Sequence, residues 1–303
     1  MAIFTLPLRR TCPAPFTFRS GLRKHASAMR NVVVTGSFDN LRSSHVRFLE
    51  EASKLGEVHL VLWPDRDIQA ATGRPPKFPQ EERLYLLQSI RYVQKVTVPF
   101  SLDDPDAIPE FARLSPRPQL WVVDEGAANV RKKRFCEMHG LEYRVLARDQ
   151  LLGFPSETPG SNSGHSAREK VIVTGCFDWF HSGHVRFFEE VSALGELYVV
   201  VGHDANVRLL KGEGHPLFPQ EERRYMVQSV RYVKQALIST GRGWLDAEPE
   251  IALIKPDIYA VNEDGDKPEK RRFCEAHGIR YVVLKRTPKE GLHKRSSTDL
   301  RGS

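Results

Sequence analysis

The sequence predicts two tandem α/β domains, each a parallel sheet covered by helices. Three observations point there. The chain of 303 residues is written twice: "GSFDNLRSSHVRFLEE" (Gly36 to Glu51) returns 139 residues later as "GCFDWFHSGHVRFFEE" (Gly175 to Glu190). Each copy alternates short β-branched runs with stretches of helical periodicity, the pattern of a parallel sheet with helices on both faces. Between the copies lies "GFPSETPGSNSGHSARE" (Gly153 to Glu169), rich in Gly, Pro and Ser and poor in apolar residues, which reads as a linker. The period is too long for a solenoid, so the repeating unit is a domain. The expected organisation is a basic leader over 1–30, a first domain over 31–152, a linker over 153–169 and a second domain over 170–303.

The elements of the second copy follow in order. "VIVTG" (Val171 to Gly175) is a short β-branched run suited to a buried parallel strand. Val185, Phe188, Val191 and Leu194 then recur at helical spacing until Gly195 interrupts them. "LYVVVG" (Leu197 to Gly202) is the next strand. "EERRYMVQSVRYV" predicts a helix that opens after Pro219 and runs to Val233. "DIYAV" (Asp257 to Val261) and "YVVLK" (Tyr281 to Lys285) are strands on either side of a helix carrying "EKRRFCEAHG". The first copy matches these segments, with "FPQEERLYLLQSIRYV" (Phe78 to Val93) facing "FPQEERRYMVQSVRYV" (Phe218 to Val233).

Composition bounds the function. Apolar content of 40% and charged content of 27% are those of an ordinary globular chain, and no run approaches the ~20 apolar residues of a membrane span. The formal charge is +7, but the leader alone holds six Arg and Lys and no acid, which leaves one net positive charge for the rest. A broad nucleic-acid surface is therefore not expected. The Arg-rich, acid-free leader reads as a disordered extension or an organelle transit peptide. Cys136 and Cys274 occupy the same place in the two copies and no CxxC spacing occurs, so the repeat explains them without zinc or a disulfide. A reducing compartment is expected, cytoplasmic unless the leader directs import.

The chemistry is expected in the second copy. Gly175 to His184 spans the end of a strand and the start of a helix, where open parallel sheets bind ligands. Unpaired N–H groups and the positive end of the helix favour phosphate there. His181 and His184, three apart, place two imidazoles at one helix start, and Gly183 leaves room beside them. Such a pair suits stabilisation of charge on phosphoryl oxygens, although His-x-x-His alone fits a metal pair or a surface pair as well.

"GCFDWFHSGH" resembles the His-x-Gly-His signature of the cytidylyltransferase-like nucleotidyltransferases. "LKGEGHP" (Leu210 to Pro216) resembles the lysine loop of the sugar-phosphate adenylyltransferases. "RTPKEGLHKRSSTDL" resembles the ending of glycerol-phosphate and phosphoethanolamine cytidylyltransferases. The resemblance implies Rossmann-like domains and transfer of a nucleotidyl group with release of pyrophosphate. It implies that His181, His184 and Lys211 are catalytic, and that Gly175, Cys176, Phe177, Asp178 and Gly183 frame the nucleotide. Arg286, Thr287, Ser296, Ser297 and Thr298 would cover the triphosphate, and Mg²⁺ would accompany it. Arg223 and Arg231 would serve the substrate, although their survival as Arg83 and Arg91 suits a structural ion pair equally, and Asp178 survives as Asp39. The expected reaction joins CMP from CTP to a small phosphorylated alcohol. Adenylyl transfer from ATP to a phosphorylated sugar or alcohol is the alternative, and a non-catalytic nucleotide-binding regulator is the alternative of another class.

The first copy has lost this chemistry. His181 corresponds to Arg42 and Gly183 to Ser44, the lysine loop is gone, and only His45 remains. The arginine is expected to crowd the phosphate pocket. Packing positions Val46, Phe48, Leu49 and Leu55 are kept. The first domain is thus expected to support the second in an internal pseudo-dimer, with a homo-oligomer or a bound regulator as further options.

Overall fold

The structure, a computed structural model, describes residues 30–155, 167–297 and 300. The leader other than Arg30, the middle of the linker and Thr298 lie outside the described residues. The first domain runs β1 (Asn31–Gly36), α1 (Ser43–Ser53), β2 (Glu57–Leu62), α2 (Asp65–Thr72), α3 (Gln80–Ser89), β3 (Lys95–Thr97), β4 (Leu120–Asp124), α4 (Val130–His139) and β5 (Glu142–Leu146). The second runs β6 (Lys170–Gly175), α5 (Ser182–Ser192), β7 (Glu196–Val201), α6 (Asp204–Lys211), α7 (Gln220–Gln228), β8 (Val233–Ile238), α8 (Glu248–Ile254), β9 (Ile258–Asn262), α9 (Pro268–Ala276) and β10 (Arg280–Leu284).

Both sheets have five strands, in the orders β3-β2-β1-β4-β5 and β8-β7-β6-β9-β10, and the pairings between these strands are all parallel. Chain order reverses beside β1 and β6, and that reversal opens the crevice in which a ligand sits. Alternation along β6 serves both faces. Val171 and Val173 pack with Phe188, Val191 and Val227, while Ile172 packs with Ile251, Ile254, Tyr259 and Cys274 on the other side. A strand covered twice must be apolar at every position, which is why "VIV" shows no polar alternation.

The domains share one core. Val185, Tyr225 and Met226 of the second domain belong to the same buried cluster as Val46, Leu49 and Leu86 of the first. Helix α3 packs on α5, and α1 on α7. The polar contacts come in pairs related by a pseudo-twofold axis, as in an isologous interface. The Tyr85 hydroxyl donates to Glu189 at 2.8 Å, and the Tyr225 hydroxyl to Glu50 at 2.7 Å. Ser182 Oγ donates to Glu82, and Ser43 Oγ to Glu222, each at 2.6 Å.

One predicted element is shorter than expected. The helix after Pro219 ends at Gln228 rather than Val233. The next residues cross to the other domain: the Arg231 N–H donates to the Ser89 carbonyl at 2.8 Å, the Arg91 N–H donates to the Ser229 carbonyl at 2.9 Å, and Ile90 bridges Val230. Pairing with a segment remote in sequence overrides local helix propensity. Among the described residues no helix is long and apolar enough to cross a membrane.

Candidate active site

At the end of β6 the chain turns sharply. Phe177 takes a left-handed conformation at φ 52°, which folds its ring back under Gly175. A Cβ on Gly175 would stand 2.8 Å from Phe177 Cζ, so only glycine admits this turn. The ring then meets His184 and Phe188 at centroid distances of 5.2 Å, buttressing α5. Asp178 is buried, and its Oδ1 accepts the N–H groups of Leu217 and Phe218 at 2.7 and 3.1 Å. Asp39 makes the matching clasp with Lys77 and Phe78, which accounts for its retention in both copies.

His181 caps α5, its Nδ1 accepting the Gly183 N–H at 3.1 Å. An acceptor at Nδ1 leaves the proton of the neutral ring on Nε2. Gly183 makes this possible, because a Cβ there would stand 2.9 Å from His181 Cε1. His184 stacks on His181 with centroids 3.9 Å apart and planes at 24°. Burial holds the His184 pKa well below its ordinary value, and His181, Arg286 and Lys211 push it the same way. Its ring is therefore neutral at pH 7.

Gly175, Cys176, Phe177, Asp178, His181, Gly183, His184, Lys211, Arg286 and Ser297 line one cleft of about 180 Å³. Lys211 ends α6 at its mouth. Arg286 is held by Asp264 at 2.7 Å and by the carbonyl of Arg295 at 3.0 Å. Ser297 Oγ donates to the Trp179 carbonyl at 3.4 Å. Thr287 lines an adjoining basic groove with Arg186, Lys289 and Lys294. The Ser296 carbonyl accepts the Leu300 N–H at 3.3 Å. The Cys176 thiol is pushed up by burial, against the pull of Lys211 and Arg223, and stays protonated.

Two expectations are corrected. Arg223 is 1% exposed and spends its donors on the carbonyls of Phe218, Cys176 and Gly202 and on Asp204. It is a post beneath the site, and Arg83 repeats it in the first domain with Phe78, Ser37, Trp63 and Asp65. Arg231 reaches across the interface to the carbonyls of Ile90 and Val93, as Arg91 reaches those of Val230 and Val233. Neither arginine is placed to meet a substrate. In the other direction, the sequence reading passed over Lys270, which lines the cleft together with Asn262 and Asp264 of the "VNEDGD" segment. Burial lowers the Lys270 pKa, with Asp246 opposing. The available signal was the retention of this lysine as Lys132.

Comparison with known proteins agrees with this architecture. The Cytidylyltransferase-like family profile matches residues 33–162 and again 172–302. The chain belongs to the cytidylyltransferase-like family of nucleotidyltransferases. Its similar relatives include the FAD synthase of Ferroglobus placidus, 35% identical over 135 residues that make up 44% of this chain and 85% of the relative. The FAD synthase of Thermococcus kodakarensis is 38% identical over 38% of this chain and 78% of its own length. That of Pyrococcus horikoshii is 34% identical over 40% of this chain and 82% of its own length.

In the first cytidylyltransferase-like domain the corresponding cleft is wider, about 770 Å³, with His45, Asp124, Lys132 and Leu151 among its walls. Arg42 does not crowd it, contrary to expectation. Its guanidinium leaves the cleft and lies 4.4 Å over the ring of Trp179 and 5.0 Å over Phe218, both in the second domain. Among the described residues no group of three His, Cys, Asp or Glu could hold a metal.

Proposed function

We propose that the second domain transfers AMP from ATP to a phosphorylated alcohol, with FMN the first acceptor to test. What supports the nucleotide and the acceptor is the similarity to FAD synthases across most of their length. FAD is FMN joined through its phosphate to AMP, and FMN is a phosphate ester of an alcohol. The chemistry rests on the stacked imidazoles at the start of α5.

A phosphate oxygen of the acceptor attacks the α-phosphorus in line. The new P–O bond forms as the bond to the β-phosphate breaks, and pyrophosphate leaves. Charge on the α-phosphate oxygens is met by the Nε2–H of His181 and by neutral His184. The first amide groups of α5 add their partial positive charge. Lys211 and Arg286 balance the β- and γ-phosphates from opposite sides of the cleft. Magnesium bound to the triphosphate would spread its charge further. The protonated Cys176 takes no covalent part.

CTP remains the second reading, favoured by the chain from Arg286 to Ser297 folding back onto the cleft as the Arg-Thr … Ser-Ser ending suggested. Pyrophosphate release with ATP or CTP, each against FMN, glycerol 3-phosphate and phosphoethanolamine, separates the readings. ATP with FMN is expected to turn over fastest. Preference for CTP replaces the proposal with cytidylyl transfer, and tight nucleotide binding without turnover replaces it with the regulatory reading.

A further inference from the structure

The carboxylate of Glu82 belongs to the domain without catalytic residues, yet its partners belong to the other. Its residue is 1% exposed. It accepts the hydroxyl of Ser182, the first residue of α5, at 2.6 Å. It also receives Arg295 in a two-pronged ion pair, Nε at 3.0 Å and Nη2 at 2.8 Å. The Arg295 guanidinium lies 5.4 Å over the ring of Phe78, again in the first domain. One turn along α3 from Glu82, Tyr85 shares Glu189 with Lys289: the hydroxyl donates at 2.8 Å and the ammonium at 2.9 Å. The returning segment 286–297 is thus tied to α3 directly through Arg295 and Glu82, and a second time through Lys289, which pairs with Glu189 of α5 and lies 5.6 Å over the ring of Tyr85.

The fastening reaches the cleft through the backbone. The Arg295 carbonyl accepts Arg286 Nη2 at 3.0 Å and sits 3.5 Å from where a Cβ on Gly183 would be. Two residues on, Ser297 lines the cleft. Holding the Arg295 side chain therefore sets the Arg286 guanidinium and the cover over the histidine pair. A buried carboxylate is well suited to this when both oxygens are taken, Oε2 by the two guanidinium donors and Oε1 by the Ser182 hydroxyl, because such charge-assisted bonds fix its orientation. The twin position marks the difference. Glu222 accepts Ser43 Oγ just as Glu82 accepts Ser182, but among the described residues no arginine of a returning segment pairs with it, and Arg42 fills the place over Phe218 that Arg295 takes over Phe78.

We infer that Glu82 of the first domain is a positioning residue for the second domain's active site, orienting Arg295 and through it Arg286 over the triphosphate. The inactive copy is kept because it supplies this wall. The inference rests on the nucleotidyl-transfer reading for its kinetic consequence only; the docking itself is testable without turnover.

The experiment compares Glu82→Gln, Arg295→Gln, their double variant and Glu222→Gln in the full chain, each checked for a retained unfolding transition. In the absence of nucleotide, trypsin should cut after Lys289 and Lys294 about fivefold faster in Glu82→Gln than in wild type or Glu222→Gln, as expected for loss of a local tether. Misplacement of a charge-neutralising group should raise KM for the triphosphate and lower kcat, together about 30-fold in kcat/KM. The double variant should be no worse than the more damaging single one, and Arg295→Lys should recover most of the loss. Glu222→Gln should stay within about twofold of wild-type turnover while losing similar stability, since it weakens the matched interface contact with Ser43 and the attraction to Arg42, both in the first domain. Equal turnover losses from Glu82→Gln and Glu222→Gln, or additive losses in the double variant, overturn the inference in favour of a purely structural interface. A wild-type chain inactive with both ATP and CTP overturns the functional reading instead. The trypsin arm then decides the docking alone, and unchanged cleavage rejects it.

Discussion

His45 and His184 stand at the same turn of the same helix in the two domains, yet they have different duties. In the first domain Nδ1 of His45 accepts the N–H of Arg42 at 3.1 Å, so the ring is spent on capping α1. In the second, His181 takes the cap, and Nδ1 of His184 has no hydrogen-bond partner among the described residues. Both rings line the cleft of their own domain, but only that of His184 has a second imidazole stacked on it. The surrounding scaffold is unchanged: Phe38 repeats Phe177 at φ 44°, and its ring lies 5.7 Å from His45. Fold-holding contacts were kept in both copies, while contacts that would meet a phosphate survive in one.

The largest expected difference between the copies is catalytic. His181→Ala and His184→Ala should each lower kcat by about 10²–10³, since each removes a donor aimed at charge formed in the transition state. His45→Ala should change kcat less than about threefold, as a cap residue affects stability by ~1 kcal/mol rather than rate. Steady-state kinetics on the three variants decides the point. Comparable rate losses from His45 and His184 in folded proteins would mean that the two clefts work together.

The interface arginines should show the opposite pattern, equality. Arg91→Ala and Arg231→Ala each strand two carbonyls in the shared core, and each should lower unfolding free energy by about 2–3 kcal/mol in urea titrations. KM for both substrates should be unaltered. A tenfold rise in KM for Arg231→Ala without loss of stability would restore the substrate role that the sequence suggested.

Gly183 and Ser44 sharpen the comparison further. Gly183→Ala places a methyl 2.9 Å from the His181 ring, which must swing aside, and kcat should fall about tenfold. Ser44→Gly in the first domain should leave kcat unchanged; kcat is measured at saturating substrate for both variants.

The smallest effect is in pH dependence. Burial, helped by Lys95, lowers the His59 pKa to about 4, whereas burial raises that of its counterpart Tyr198. Between pH 6.5 and about 4 the unfolded chain binds a proton that native His59 refuses. Stability is then complete above pH 6.5, falls as pH drops through this window and levels below it, by at most ~1.4 kcal/mol per pH unit for one such group. His45 and His184, also lowered, add slope of the same sign. His59→Gln should flatten the curve by one proton's worth, and an unchanged slope would place the effect elsewhere.

Much of the molecule was legible beforehand. The strands from Val171, Leu197, Asp257 and Tyr281 stand within a residue or two of where β-branched runs placed them, and α5 begins beside His181 as the strand–Gly–helix pattern required. The nucleotide preference was not legible. A loop that resembles one branch of the family and an ending that resembles another sit in the same domain.

The sequence by itself determined the duplication, the parallel α/β units and a histidine pair present in one copy only, because each is written in short segments of characteristic spacing or composition. Only the tertiary structure decided that α7 stops at Gln228, that Arg223 and Arg231 hold carbonyls, and that Glu82 meets Arg295. Those contacts join residues 47, 141 and 213 positions apart. A buried donor or acceptor must find a partner wherever the fold brings one near, and no local window of sequence records which one that is.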